Sequence, residues 1–326
     1  MSRKCVVLYS GGLDSILTIH IMKSLGFEVY ALFIKTPFFS KDTSSLKKQL
    51  EKTGVKLHER SNNEKYMDMV RHPKFGYGKN MNPCIDCKIF FLKEAKDFME
   101  EVGADFVVTG EVLGQRPMSQ ASYPILRLIE KQAGLKDLVL RPLSAKVLPE
   151  TKMEKDGFIN RENLFDINGR GRKKQLELAK HFSIEDFETP AGGCLLTDKH
   201  FAYRLKDALK YNKKKYLEDE IKLLKIGRHF RINDLKFIVS RDEKETNYIF
   251  EAFYDKLPFL RCVDAQGACA IFLEEPGANE IEKGASILKR YSKKANEIEY
   301  HYKSASKIIN PKPISNQDID AFRLDV

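Results

Sequence analysis

Residues 4–9 (KCVVLY) form a short apolar run, suited to a strand buried on both faces. Leu13, Ile16, Leu17, Ile21 and Leu25 then recur at helical spacing, which predicts a helix over 13–25. Residues 27–34 (FEVYALFI) read as a second strand, 45–53 as a helix, 85–102 as a longer helix, 104–109 (ADFVVT) as a strand and 173–182 as a helix. Strands alternating with helices predict an α/β fold, a parallel sheet with crossover helices.

After about residue 198 the pattern changes. KYNKKKYLEDE is polar, and short strand-like runs (KFIVS, ACAIFLE, EIEYHY) follow, with helices expected near 243–254 and 279–292. The expected organisation is a first domain over 1–198, a helical linker over 199–224 and a smaller α+β module over 225–326. The residues beyond Pro311 and Pro313 read as a tail. No internal repeat or low-complexity segment is visible.

At 326 residues, 42% hydrophobic and 31% charged, the chain is long enough for two domains and reads as globular. No apolar run approaches membrane-spanning length, and the start has no signal-peptide pattern, so a cytoplasmic location without membrane attachment is expected. A net charge of +10 favours an anionic partner, nucleic acid or a phosphorylated ligand. The six cysteines are too few and scattered for a disulfide framework, so close pairs read as metal or redox sites. The histidines form no ligand-spaced pair.

The stretch LYSGGLDSIL (8–17) carries the first chemistry. Gly11 and Gly12 permit a tight turn and close backbone approach, and the helix that follows offers N–H groups and its positive end to an anion. Ser10 and Ser15 add hydroxyls. Asp14 would repel a bare phosphate, so it makes sense holding Mg²⁺ or orienting a neighbour. The turn is neither a Walker A loop nor a GxGxxG fingerprint, and its bland alternative is a strand–helix turn with a polar cap.

The full SGGLDS string resembles the pyrophosphate loop of the adenine-nucleotide α-hydrolase (PP-loop) ATP pyrophosphatases. That resemblance implies a doubly wound, mostly parallel sheet and ATP cleaved between its α and β phosphates. It implies ATP contacts from Ser10, Gly11, Gly12, Leu13, Asp14, Ser15, Phe33, Thr109, Gly110 and Gln115, with Mg²⁺ near Asp14. TGEVLGQ (109–115), the polar loop to Gln120, and LRPL (140–143) are similar to tRNA 4-thiouridine synthetases of that class. The similarity spans 4–198 in three separated patches. Those synthetases usually carry an N-terminal RNA-binding region, and some a C-terminal rhodanese domain; nothing here resembles either, so tRNA recognition and sulfur supply are expected to be arranged differently.

NPCIDCK places Cys84 and Cys87 in C-x-x-C spacing at a predicted helix start, where thiolates are favoured, and Cys194 follows Gly192 and Gly193 in PAGGCLLTD. Three thiolates leave a fourth coordination position open, unlike a closed zinc site. The arrangement resembles the cluster-dependent tRNA thiolation enzymes, which implies a 4Fe–4S cluster on Cys84, Cys87 and Cys194 with one iron open to sulfide. A persulfide and disulfide relay, inert thiols or zinc remain alternatives. Cys5, Cys262 and Cys269 read as structural.

Arg141 is a candidate contact to a phosphate of ATP or of tRNA; Arg170 and Arg172 in GRGRKK (169–174), and the NKKK run (212–215), are candidate contacts to tRNA phosphate, with a solvated surface as the alternative. Residues 223–249 mix basic and aromatic side chains, Arg228 and Arg231 among them, and resemble the NFACT-R-type RNA-binding module. The expected function is an ATP-dependent tRNA thiouridine synthase acting with tRNA and with sulfide or a sulfur-donor protein. An enzyme adenylating a small molecule, or a non-catalytic ATP- or iron-responsive RNA-binding protein, are the rivals.

Overall fold

Strands β1 (Lys4–Leu8), β2 (Glu28–Lys35), β3 (Leu57–Ser61), β4 (Phe106–Thr109) and β5 (Val139–Leu140) pair in parallel in the order β3-β2-β1-β4-β5. Their side chains alternate between two cores, as a strand's period of two requires. Cys5, Val7, Ala31, Phe33, Phe106 and Val108 enter one; Val6, Leu32, Ile34 and Val107 enter the other. Helices cover both faces. The first core also takes residues from α1 (Leu13–Ser24) and α2 (Ser44–Glu51), while α3 (Asn63–Arg71) is seated on α4 (Cys84–Val102). The second core takes Ile89, Leu92 and Ala95 from α4 and Ile129 from α5 (Tyr123–Ala133). The short α6 (Lys152–Lys155) and α7 (Lys173–His181) return to the first, through Met153 and Ala179. A sheet covered on both faces is why its strands read as continuous apolar runs.

The computed structural model describes residues 3–39, 43–185, 187, 194–211 and 218–324. Gly192, Gly193 and the 212–215 run lie outside the described residues. The chain divides into units 1–197 and 198–326. No helix among the described residues is long and apolar enough to cross a membrane.

The second unit contains α8 (Lys199–Tyr211), α9 (Glu218–Leu223), β6 (Arg228–Ile232), β7 (Leu235–Val239), α10 (Glu243–Phe253), β8 (Phe259–Cys262), β9 (Cys269–Phe272), α11 (Ala278–Tyr291), β10 (Ile298–Tyr302), β11 (Ala305–Ile309) and α12 (Asn316–Asp320). The six strands form one antiparallel sheet in the order β11-β10-β8-β9-β7-β6. The α8 segment is part of this unit: Asp207 accepts from Arg231 Nε at 2.9 Å and from Lys236 Nζ at 2.8 Å. The segment after Pro313 is not a tail. Ile319 is buried in the core, and the backbone N–H of Arg231 and of Leu324 bond to the carbonyls of Phe322 and His229. Its few apolar residues sit too sparsely in the sequence to announce this.

Candidate nucleotide and cysteine site

The strand order reverses at β1: β2 and β3 lie on one side, β4 and β5 on the other. Ligands of open α/β sheets bind at such a point, beyond the carboxyl ends of the strands. Residues 9–15 leave β1 there. Gly11 has φ +79°, and a Cβ on it would stand 2.3 Å from Leu46 Cδ2. Gly12 is the N-cap of α1, and no side chain caps the helix, so its first N–H groups remain available to an anion. Ser15 Oγ donates to the Gly12 carbonyl at 2.8 Å and accepts from the Ser10 N–H at 3.2 Å, which holds the turn closed.

The loop after β4 meets this turn at backbone distance. A Cβ on Gly110 would lie 2.5 Å from the Asp14 carbonyl oxygen and 2.8 Å from Ser15 N, so only glycine fits. Gln115 Nε2 then donates to Asp14 Oδ2 at 3.1 Å, while Asp14 Oδ1 is buried without a partner. Burial pushes the Asp14 carboxyl upward, against Gln115, Arg172, Arg116 and Gln175, which all favour its ionised form.

The same loop reaches the cysteines. Cys84 and Cys87 lie in the first turn of α4, and the Cys84 thiol donates to Ser119 Oγ at 3.2 Å. The Cys87 thiol is 3.3 Å from the Tyr66 hydroxyl of α3. Cys194, distant in sequence, is brought in by backbone pins: Met81 N–H bonds to the Leu196 carbonyl at 3.1 Å, and Asn80 Nδ2 to the Thr197 carbonyl at 2.7 Å. The three thiols act on one another and on Tyr66 electrostatically. Among the described residues no group of three His, Cys, Asp or Glu side chains is arranged to hold a single metal ion. The thiolate character expected at the helix start is overturned for the free Cys87 thiol: burial pushes it up to about 12. Cys194 is exposed to solvent as a residue, while the atoms crowded around its thiol still raise it. Cys5 and Cys269 are buried core thiols.

Several sequence-derived residues sit elsewhere than expected. Arg141 is buried behind the loop, donating to Glu111 at 3.1 Å and to Glu130, so it is no surface contact for RNA. Burial would raise Glu111, but Lys88, 3.2 Å away, and Arg141 hold it ionised, down to about 2. Thr109 donates to the same carboxylate at 3.2 Å. Phe33 is a core residue packed against Phe39 at 4.8 Å, leaving its ring little surface for a ligand. Arg231 is matched by Asp207 and covers the Tyr211 ring at 3.9 Å; Arg228 donates to the Ser240 carbonyl at 2.9 Å and lies over Tyr291. Arg170 is exposed, and Arg172 is half-buried near Asp14. Tyr66, Lys88, Glu130 and Gln175 had no signal in the sequence, because each acquires its partner through tertiary packing.

A parallel sheet in the order 3-2-1-4-5 with the SGGLDS turn after its first strand defines a PP-loop domain of the ATP pyrophosphatase type, joined to a smaller α+β domain. Residues 1–148 match the family described as thiamine biosynthesis protein (ThiI), and residues 227–323 match the NFACT protein RNA binding domain. Each match covers less than half of the chain, a ThiI-type family over its first part and an NFACT RNA-binding family over its last. It is 30% identical over 118 residues to the tRNA-specific 2-thiouridylase MnmA of a Nitratiruptor species, covering 34% of this chain and 35% of that protein. It is 26% identical over 241 residues to MnmA of Hahella chejuensis, covering 70% and 62%. The match thus spans less than two thirds of the length of either relative. A solved 4-thiouridine synthetase–RNA complex with bound ATP is similar at 20% identity and a TM-score of 0.35, covering 56% of this chain and 52% of that one.

Proposed function

We propose that the chain is an ATP-dependent tRNA thiouridine synthase. The observation that supports this most is a single loop, residues 110–120, that holds Asp14 through Gln115 and meets Cys84 through Ser119. A nucleotide and a source of sulfur would then face the same substrate atom. The open N–H groups of α1, with Ser10 and Ser15, bind the phosphates, and Asp14 would hold a Mg²⁺ that neutralises their charge. A uridine carbonyl oxygen attacks the α-phosphorus and pyrophosphate departs. Sulfide then bonds to the activated carbon, the carbon–oxygen bond breaks and the oxygen leaves as part of AMP, a far better leaving group than hydroxide, with no change of oxidation state. The target base has to be unstacked or extruded to reach this crevice.

We read Cys84, Cys87 and Cys194 as ligands of a 4Fe–4S cluster rather than of a zinc ion: the three thiols are near enough to act on one another electrostatically, while among the described residues no three such side chains are arranged around a single ion. Held by these three thiolates, such a cluster would leave one iron open to sulfide. The exposure of Cys194 favours a second reading, in which Cys194 receives sulfur from a persulfide donor, its terminal sulfur bonds to the activated carbon as AMP leaves, and a thiol of the C-x-x-C pair then breaks the S–S bond by closing a disulfide with Cys194, which an external thiol must reduce. The net charge of +10 and the match of 227–323 to an RNA-binding family support tRNA over a small-molecule substrate.

The test is pyrophosphate release from ATP with and without tRNA, paired with mass spectrometry of the tRNA nucleosides. Release that requires tRNA and yields thiouridine is expected. Release driven by a small molecule without tRNA would place the chain among the small-molecule adenylating enzymes.

A further inference from the structure

The basic turn at 169–174 is held against the candidate nucleotide site rather than displayed as a free surface. The Gly169 N–H bonds to the Leu113 carbonyl at 2.7 Å, and a Cβ on Gly114 would stand 3.4 Å from Gly169 Cα. Buried Ser144 ties both strands of this junction, accepting from the Leu113 N–H at 3.0 Å and donating to the Ile167 carbonyl at 2.6 Å. The turn therefore keeps a set distance from the β4 loop, and α7 starts beside Asp14. Arg172 is the N-cap of α7, and no side chain caps the helix.

Gln175, in the first turn of α7, is 0% exposed, and neither its amide nitrogen nor its oxygen has a hydrogen-bond partner. Asp14 Oδ1 is also buried and unpartnered, and the Gln175 amide lies close enough to the Asp14 carboxylate to favour its ionised form without completing a well-formed hydrogen bond. Buried polar groups are rarely left so, and each such group is costly. An amide donor and acceptor, a carboxylate oxygen and the two guanidinium groups of Arg116 and Arg172 are the chemical complement of a hydrated divalent cation carrying a diphosphate.

From this we infer that residues 168–175 form the pyrophosphate-side wall of the nucleotide site, with Arg172 contacting phosphate and Gln175 acting as a positioning residue for Asp14. This rests on the reading of Ser10–Ser15 as a nucleotide loop. It assigns Arg172 to the nucleotide, not to tRNA.

The experiment uses the full chain and calorimetry with Mg²⁺–pyrophosphate, Mg²⁺–α,β-methylene-ATP and AMP. Arg172→Ala should weaken pyrophosphate and the ATP analogue by about tenfold or more, the loss of one charge-assisted contact, and leave AMP unchanged. Gln175→Leu should raise the Mg²⁺ concentration needed for half-saturation by the analogue, again without affecting AMP. Lys180→Ala, which removes a charge farther along α7, should change none of these. Equal losses for AMP and pyrophosphate would overturn the inference, because they report general damage to the crevice. So would an Arg172→Ala chain that keeps its pyrophosphate affinity while its tRNA salt slope falls by about one, since Arg172 would then be a tRNA contact. Failure of the unaltered chain to bind the ATP analogue would instead remove the nucleotide-loop reading itself.

Discussion

The Cys84 thiol donates to Ser119 Oγ at 3.2 Å, four residues along the loop from the glutamine that holds Asp14. If these cysteines carry a cluster, protein purified without oxygen should contain about four irons per chain. Cys84→Ala, Cys87→Ala and Cys194→Ala should each lose iron and activity together, while Cys5→Ala, Cys262→Ala and Cys269→Ala should keep the iron. Iron-free protein that thiolates tRNA at the full rate from a persulfide donor would establish the relay instead.

Asp14→Ala should reduce pyrophosphate release by about 10²-fold or more, the scale of losing one electrostatic contact at a reacting phosphate. The turn itself is held by Ser15 and the glycines, so the melting temperature should stay close to that of the parent chain. Full pyrophosphate release with ordinary metal dependence would reject a role for the carboxylate.

Gly110→Ala should destabilise the first unit by about 1–3 kcal/mol, because the added methyl meets the Asp14 and Ser15 backbone rather than a movable side chain. Nucleotide affinity should fall as well. Gly171→Ala, with open space around its Cβ and no left-handed φ, is the control expected to lose little stability. Chemical denaturation of both variants decides the point.

Glu111→Gln should cost about 3–5 kcal/mol at neutral pH, since it leaves buried Arg141 and nearby Lys88 without their shared carboxylate charge. Glu111 is depressed from 4.5 to about 2 in the folded chain, so its contribution is fully present above about pH 4.5 and fades as pH falls toward 2. Urea unfolding of the two proteins across that range should show the gap closing on acidification. A gap independent of pH would mean that Glu111 contributes by shape and not by charge.

Removing the second unit whole, by ending the chain at Thr197, should weaken tRNA binding and flatten its salt dependence. A fragment beginning at residue 225 should be less stable than one beginning at 198, because it lacks the Asp207 carboxylate that pairs with Arg231 and Lys236. Unchanged tRNA affinity and salt slope in the truncated chain would locate tRNA binding in the first unit.

Local pattern made much of this protein legible. The run KCVVLY reads as a strand buried on both faces, Leu13 to Leu25 as a helix, and the glycines between them as a turn for close approach. These features depend on neighbours in the chain, so the sequence by itself determined the parallel α/β domain, the phosphate-loop candidate and the C-x-x-C pair. It also pointed to a second α+β domain, though the packed segment after Pro313 was invisible because only a strand edge elsewhere gives it a partner. Tertiary structure alone decided which charges are free. Arg141 reads like any basic residue until Glu111 and Glu130 close around it, whereas Arg172, in a run resembling a surface patch, is carried to Asp14 by the junction of Gly169 with Leu113. Gln175 carries no motif at all; it matters because two helices pack their first turns together and bury its amide beside a carboxylate. Charge, burial and partnership are properties of what surrounds a side chain in space, and residues far apart in sequence supply those surroundings only once the chain has folded.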